Sequence, residues 1–145
     1  MQLTRYSDYS LRVLMYLAVW PEYLVTIEEI SKAYGISRAH LMKVVHQLGL
    51  AGFVATVRGR GGGIQLARAP EEISIGKVVR HTEENLAIVE CFEPTTSQCR
   101  IESACGLRGV LEEARDAFLG TLDRYTLADL VARRRKPLAL LLTAP

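Results

Sequence analysis

The chain reads as a mainly α protein with one small β-hairpin, a winged helix-turn-helix followed by a long dimerisation helix. Three observations predict this class. Two short capped helices meet across Gly35, and a β-branched strand, a glycine–arginine turn and a second strand follow them directly. After Cys105, apolar residues then recur at spacings of three and four for about four turns.

In chain order, TRYSDYSLRVLMYLAVW places Leu11, Leu14, Met15, Ala18 and Val19 on one helical face, with Thr4 or Ser7 as N-cap and Pro21 as the stop. Asp8 lies in the first turn with Arg12 four residues on, so the two can pair. Asp8 is also the carboxylate that a helix N-terminus favours without any further role. Thr26 and Glu29 fit a capping box that opens a short helix with Ile27, Ile30 and Ala33 inward. Gly35 supplies the positive φ of the turn, and Ser37 caps a second helix running to about Ala51. Leu41, Val44, Val45 and Leu48 form its buried stripe, leaving Arg38, Ala39, His40, Lys43 and Gln47 outward, where the edges of base pairs would be reached. The competing reading is an αα-hairpin with a solvated polar face. The FVATV–RGRGGG–IQLA hairpin that follows favours a wing, with Arg58 and Arg60 at its tip and Gly61 letting the backbone approach a sugar-phosphate surface. RGRGGG is no nucleotide-phosphate loop. It lacks the Gly-Lys-Ser/Thr ending, and Ile64 stands where GxGxxG needs its third glycine.

Beyond Pro70 the pattern predicts a short helix from about Ile75 to Glu83 packing Val78 and Val79, then an irregular stretch that Pro94 and Thr95-Thr96-Ser97 keep open. A helix from about Gly106 to Leu122 carries Leu107, Leu111, Ala114, Phe118 and Thr121 or Leu122 as a heptad-like seam, suited to a second copy or to its own core. Thr126 and Asp129 start a last short helix, whose Arg133–Lys136 run reads as a solvated basic end. PLALLLTAP is expected to dock on the body. Residues 1–70 are the expected DNA-reading head, and residues 71–145 the expected cysteine loop and dimerisation helices of one compact domain.

Composition agrees with this division. An apolar fraction of 49% supports a core, and the net charge of +2 is unevenly spread. Residues 1–70 hold 8 Lys and Arg against 4 Asp and Glu, whereas residues 71–145 hold 10 against 12, so the first part is the one suited to a polyanion. No run reaches the ~18 apolar residues of a membrane span, and Arg5, Asp8 and Arg12 interrupt any secretory leader, so the expected location is the cytoplasm.

All three cysteines, Cys91, Cys99 and Cys105, fall within fifteen residues. In a reducing compartment an odd, clustered set argues for a metal, a cluster or redox sensing over a structural disulfide. Three thiolates leave a four-coordinate site one ligand short. No nucleophile–base pair or cofactor fingerprint suggests an enzyme.

MQLTRYSDYSLRVLMYLA, YGISRAHLMKVVHQL, VRGRGGGIQL, the three cysteines and YTLADLV together resemble the Rrf-two family of winged-helix regulators, and within it the nitric-oxide-sensing repressors. The likeness spans nearly the whole chain, and its wing and cysteine set are the specific parts. It implies a homodimer that binds double-stranded operator DNA through two winged helices and carries one iron–sulfur cluster per subunit, of the [4Fe–4S] type. Cys91, Cys99 and Cys105 are then the cluster thiolates. The fourth ligand, weaker and not a cysteine, comes from the first helix of the other subunit, where Asp8 matches and Arg12 orients it. DNA contacts fall to Ser37, Arg38, Ala39, His40 and Lys43 and, on the wing, to Arg58, Arg60 and Gly61. Nitric oxide is the implied signal, lifting repression by attack at the cluster.

Two features set this chain apart within the resemblance. Seven residues separate Cys91 from Cys99, more than in several relatives. Arg108 stands where a related cluster-sensing regulator has a histidine ligand, and a side chain that stays protonated is no iron ligand. The rival within the same class is a zinc- or thiol-based redox-sensing repressor. A more distant rival is an iron–sulfur carrier that uses the helix-turn-helix to bind protein.

Overall fold

A computed structural model describes residues 2–93 and 95–143; Pro94, expected to keep the cysteine loop irregular, and Ala144 and Pro145 of the apolar tail lie outside the described residues. Helix α1 spans Arg5–Val19. Thr4 caps it, its hydroxyl accepting from the Ser7 N–H at 3.2 Å. Its buried face is broader than the spacing of Leu11, Leu14 and Met15 predicts. Val13, Leu14, Tyr16, Leu17, Ala18 and Val19 are buried, while Leu11 and Met15 are half-buried. The reason is that α1 has neighbours on several sides: α3, β2, α4, α6 and α7 all pack against it.

Helix α2 (Ile27–Tyr34) opens with the predicted capping box, Thr26 with Glu29. Gly35 closes it at φ 66°, and the Ser31 hydroxyl donates to the Ile36 carbonyl at 2.7 Å, pinning the turn. Helix α3 (Arg38–Leu50) buries the predicted Leu41, Val44, Val45 and Leu48. Strands β1 (Val54–Val57) and β2 (Gly63–Leu66) pair antiparallel, Val54 opposite Leu66 and Val57 opposite Gly63. At Gly62 a Cβ would collide with the Val57 carbonyl, so the hairpin closes only with glycine there. Val25 adds a bridge to Ile64, giving the wing a third rung that no periodicity in the α1–α2 connection announces.

A 3-10 turn at Pro70–Glu72 leads to α4 (Ile75–Thr82), which buries Val78 and Val79 as predicted. Helix α5 (Gly106–Asp123) packs on α4, tied by the Arg80–Asp123 ion pair; the hydrogen bonds from Arg80 hold the Asp123 carboxyl below its ordinary range. Of the predicted seam little is covered: Leu111, Phe118 and Leu122 are half-buried and Leu107, Ala114 and Thr121 are exposed. Outside that seam the helix differs from residue to residue. Leu119, beside the seam, is buried, whereas Leu107 within it and Val110 outside it are each 62% exposed.

Thr126 and Asp129 form a second capping box for α6 (Leu127–Val131), which is shorter than the predicted last helix. The apolar tail forms a further helix, α7 (Arg135–Leu142), that docks on α1 and α2 and buries Leu142. Pro137 lies in its first turn, where a missing N–H costs nothing. Arg135, expected to be solvated, donates to the Val19 carbonyl at 3.0 Å and so satisfies the C-terminus of α1. One hydrophobic cluster runs from Val13 to Leu142 and includes residues of every helix except α5 among its buried members.

Substituting Thr26→Ala removes the α2 cap and is expected to cost about 1 kcal/mol in urea unfolding. An unchanged midpoint would show that tertiary packing, not the cap, fixes the start of α2.

Candidate DNA-reading face and cysteine loop

The reading face is built by caps and one turn. Ser37 ends the turn and its hydroxyl accepts from the His40 N–H at 3.4 Å, leaving the first turn of α3 in the open. Arg38, Ala39, His40 and Lys43 are all exposed, as are Arg58, Arg60 and Gly61 at the wing tip. Two of these residues already have partners. The Arg38 guanidinium lies 3.2 Å from the Glu28 carboxylate of α2, and the His40 ring lies 6.3 Å from that of Tyr9 in α1.

The cysteines lie in the long connection between α4 and α5, which holds two 3-10 turns, Glu90–Phe92 and Glu102–Ala104. All three thiols are free; Cys91 is buried and Cys99 and Cys105 are half-buried. Helix α5 fastens this loop at two points. The Arg115 guanidinium lies 4.9 Å over the ring of Phe92, next to Cys91. In the first turn of the helix, Arg108 pairs with Glu102 at 2.5 Å and with Glu112 at 3.2 Å, and Glu102 accepts from the Ser97 hydroxyl at 2.8 Å. Arg108 therefore has a structural partner in the loop. Cys105 is the N-cap of α5, with neither a side-chain cap nor an acidic residue in the first turn, so an anion at its sulfur would meet the positive end of the helix.

Among the described residues, no three His, Cys, Asp or Glu side chains gather in metal-binding geometry. The structure thus carries the three thiols in one loop but does not bring them to one centre, nor Asp8 to them. The donor set itself suits an iron–sulfur cluster, being three free thiols on a connection that holds only short 3-10 turns and no α-helix or strand. Metal binding supplies the free energy that closes such a site.

Asp8 is half-buried and held by the predicted partner. Arg12 Nε and Nη2 each lie 3.0 Å from one of its carboxylate oxygens. The same guanidinium lies 5.8 Å from the ring centre of Tyr34, at the end of α2. The Tyr34 hydroxyl donates to the Arg12 carbonyl at 3.2 Å, and burial pushes its pKa up to about 12. A second joint escaped sequence reasoning. The Glu83 carboxylate, just past α4, accepts from the Thr4 N–H at 2.8 Å, from the Thr4 hydroxyl at 3.1 Å and from the Ser7 hydroxyl. Ser7 also shares a 2.7 Å hydrogen bond with Thr82. The joint pairs polar residues distant in sequence, of which Ser7 and Thr82 are buried, and no local motif marks it.

Residues 3–133 match the family model Rrf2, described as an iron-dependent transcriptional regulator. The chain belongs to the Rrf2 family. It is 52% identical over 142 residues to the HTH-type transcriptional regulator NsrR of Bacillus subtilis, covering 97% of each chain. It is 49% identical over 146 residues to the NsrR of Halalkalibacterium halodurans, covering both chains fully. Among solved structures it is similar to IscR of T. potens, with a TM-score of 0.76 at 25% identity over 94% of this chain and 90% of that one. It is also similar to CymR, the global cysteine regulator of B. subtilis, with a TM-score of 0.74 at 26% identity over 92% and 98%. An Rrf2 winged helix is therefore the fold, and the protein is a DNA-binding transcriptional regulator, not an enzyme. The family description points to iron. Among the described residues, no helix is long and apolar enough to cross a membrane.

Replacing Arg58 or Arg60 by Ala should weaken DNA binding by a similar factor on all sequences and lower the salt slope by about one. A loss confined to an A/T-rich position would instead assign the arginine to the minor groove.

Proposed function

We propose that this regulator is a cytoplasmic, homodimeric repressor whose operator binding is switched by nitric oxide through an iron–sulfur cluster, [4Fe–4S], one per subunit. The observation that carries the reading is the gathering of all three cysteines, as free thiols, in the one irregular connection that leads into α5. Cys91, Cys99 and Cys105 would hold the cluster, with Asp8 from the other subunit as the fourth, oxygen ligand. When bound, the cluster supplies iron that reacts with nitric oxide, most readily where the ligand is an exchangeable carboxylate.

The rest of the task falls to the chain itself. The Arg12 fork orients Asp8, and through Tyr34 it also touches α2, the helix that precedes the reading helix. A change in what the Asp8 carboxylate binds is therefore felt at Arg12 and at the end of α2. The Glu83 joint likewise fixes the first turn of α1 to the start of the cysteine connection. Ser37, Arg38, Ala39, His40 and Lys43 would enter the major groove, and Arg58, Arg60 and Gly61 would follow the backbone. Leu107, Val110, Leu111 and Phe118 leave an apolar face on α5, beside a groove of about 610 Å³ shared with Leu3 and residues 86–88. This face supports pairing with a second copy.

A thiol-switch repressor is the second reading. It is favoured by the half-burial of Cys99 and Cys105 and by similarity to Staphylococcus aureus CymR, solved in an oxidised form, at 29% identity and a TM-score of 0.72.

Asp8→Ala tests the sensor reading. The sensor reading expects iron and sulfide still to be taken up, with operator affinity and its response to nitric oxide both altered. Wild-type behaviour in both would remove Asp8 from the mechanism.

A further inference from the structure

With about 3.6 residues per turn, the side of α3 opposite its buried stripe is formed by Ala39, Lys43 and His46, with Met42 beside them. Arg38 and His40 stand to either side of this stripe, one drawn to Glu28 and the other to Tyr9. Met42 is 57% exposed in the N-terminal half of the helix, flanked by Ala39 three residues before and His46 four after. Ala39 and Met42 thus make a small apolar surface next to the positive charge of Lys43, on the helix that enters DNA in this fold.

The major groove offers one apolar feature to such a surface, the 5-methyl group of thymine. We propose that Met42 is a specificity-determining residue that packs its thioether, with the Ala39 methyl beside it, against a thymine methyl in the operator. Its long, unbranched side chain reaches past the short Ala39 without needing a hydrogen-bond partner. This inference rests on α3 being the helix that reads the groove.

The test uses duplexes selected by the wild-type protein from a random-sequence library, with each thymine then replaced in turn by uracil, which lacks only the methyl. At one or two positions uracil should weaken wild-type binding about three- to five-fold, the worth of one buried methyl. Met42→Ala should bind thymine and uracil equally at those positions, whereas Met42→Leu should keep the preference. An unchanged thymine preference in Met42→Ala, or no methyl-sensitive position in the wild type, overturns the proposal. Lys43→Ala, measured alongside, distinguishes the two failures. If it binds as the wild type does, α3 does not read the groove; if it is weakened while Met42→Ala keeps the preference, only the role of Met42 is wrong.

Discussion

Burial of α1 is the constraint on which the molecule depends. Val13, Leu14 and Leu17 are essentially inaccessible to water, and each such side chain stabilises the fold by roughly 1.5–3 kcal/mol. The partners that bury them come from along the whole chain: α3 and β2 from the winged helix-turn-helix, α4, α6 and α7 from the segments after it. Neither part can shift without disturbing the helix they share. A displacement in either part is therefore transmitted to α1 without any separate linker.

Polar joints at the two ends of α1 refine this coupling. At its start, the Glu83 carboxylate satisfies the Thr4 N–H and brings negative charge to the positive end of a helix, although the same residue sits at the unfavourable end of α4. At its end, Arg135 supplies the complementary cation to the Val19 carbonyl. Between them, Asp8 and Arg12 face α2 through Tyr34. Exposed ion pairs contribute little to stability, so the Asp8–Arg12 pair adds little to the fold by itself.

The helix-turn-helix and wing were legible because their signals are local. Capping boxes at Thr26 and Thr126, Gly35 in its left-handed turn and the stripe from Leu41 to Leu48 each depend on neighbours a few residues away. What was not legible depends on distance in sequence or on a partner. The Glu83 joint links residues 79 positions apart at Thr4. Helix α7 was hidden because PLALLL has no polar alternation and starts with a proline, so only docking on α1 and α2 shows its form. The seam of α5 was visible as a pattern, but among the described residues its Leu107, like the neighbouring Val110, stays exposed. For the cysteines, sequence places three thiols in one loop, and no local pattern in that loop sets how far apart they stand.

The most direct test of the central claim is the visible absorption, iron and sulfide content of protein purified without oxygen, followed by titration with nitric oxide while operator binding is monitored. A brown protein with about four irons and four sulfides per chain, bleached in step with loss of operator binding, is the predicted result. A colourless, zinc-containing protein whose operator binding ignores nitric oxide would contradict it.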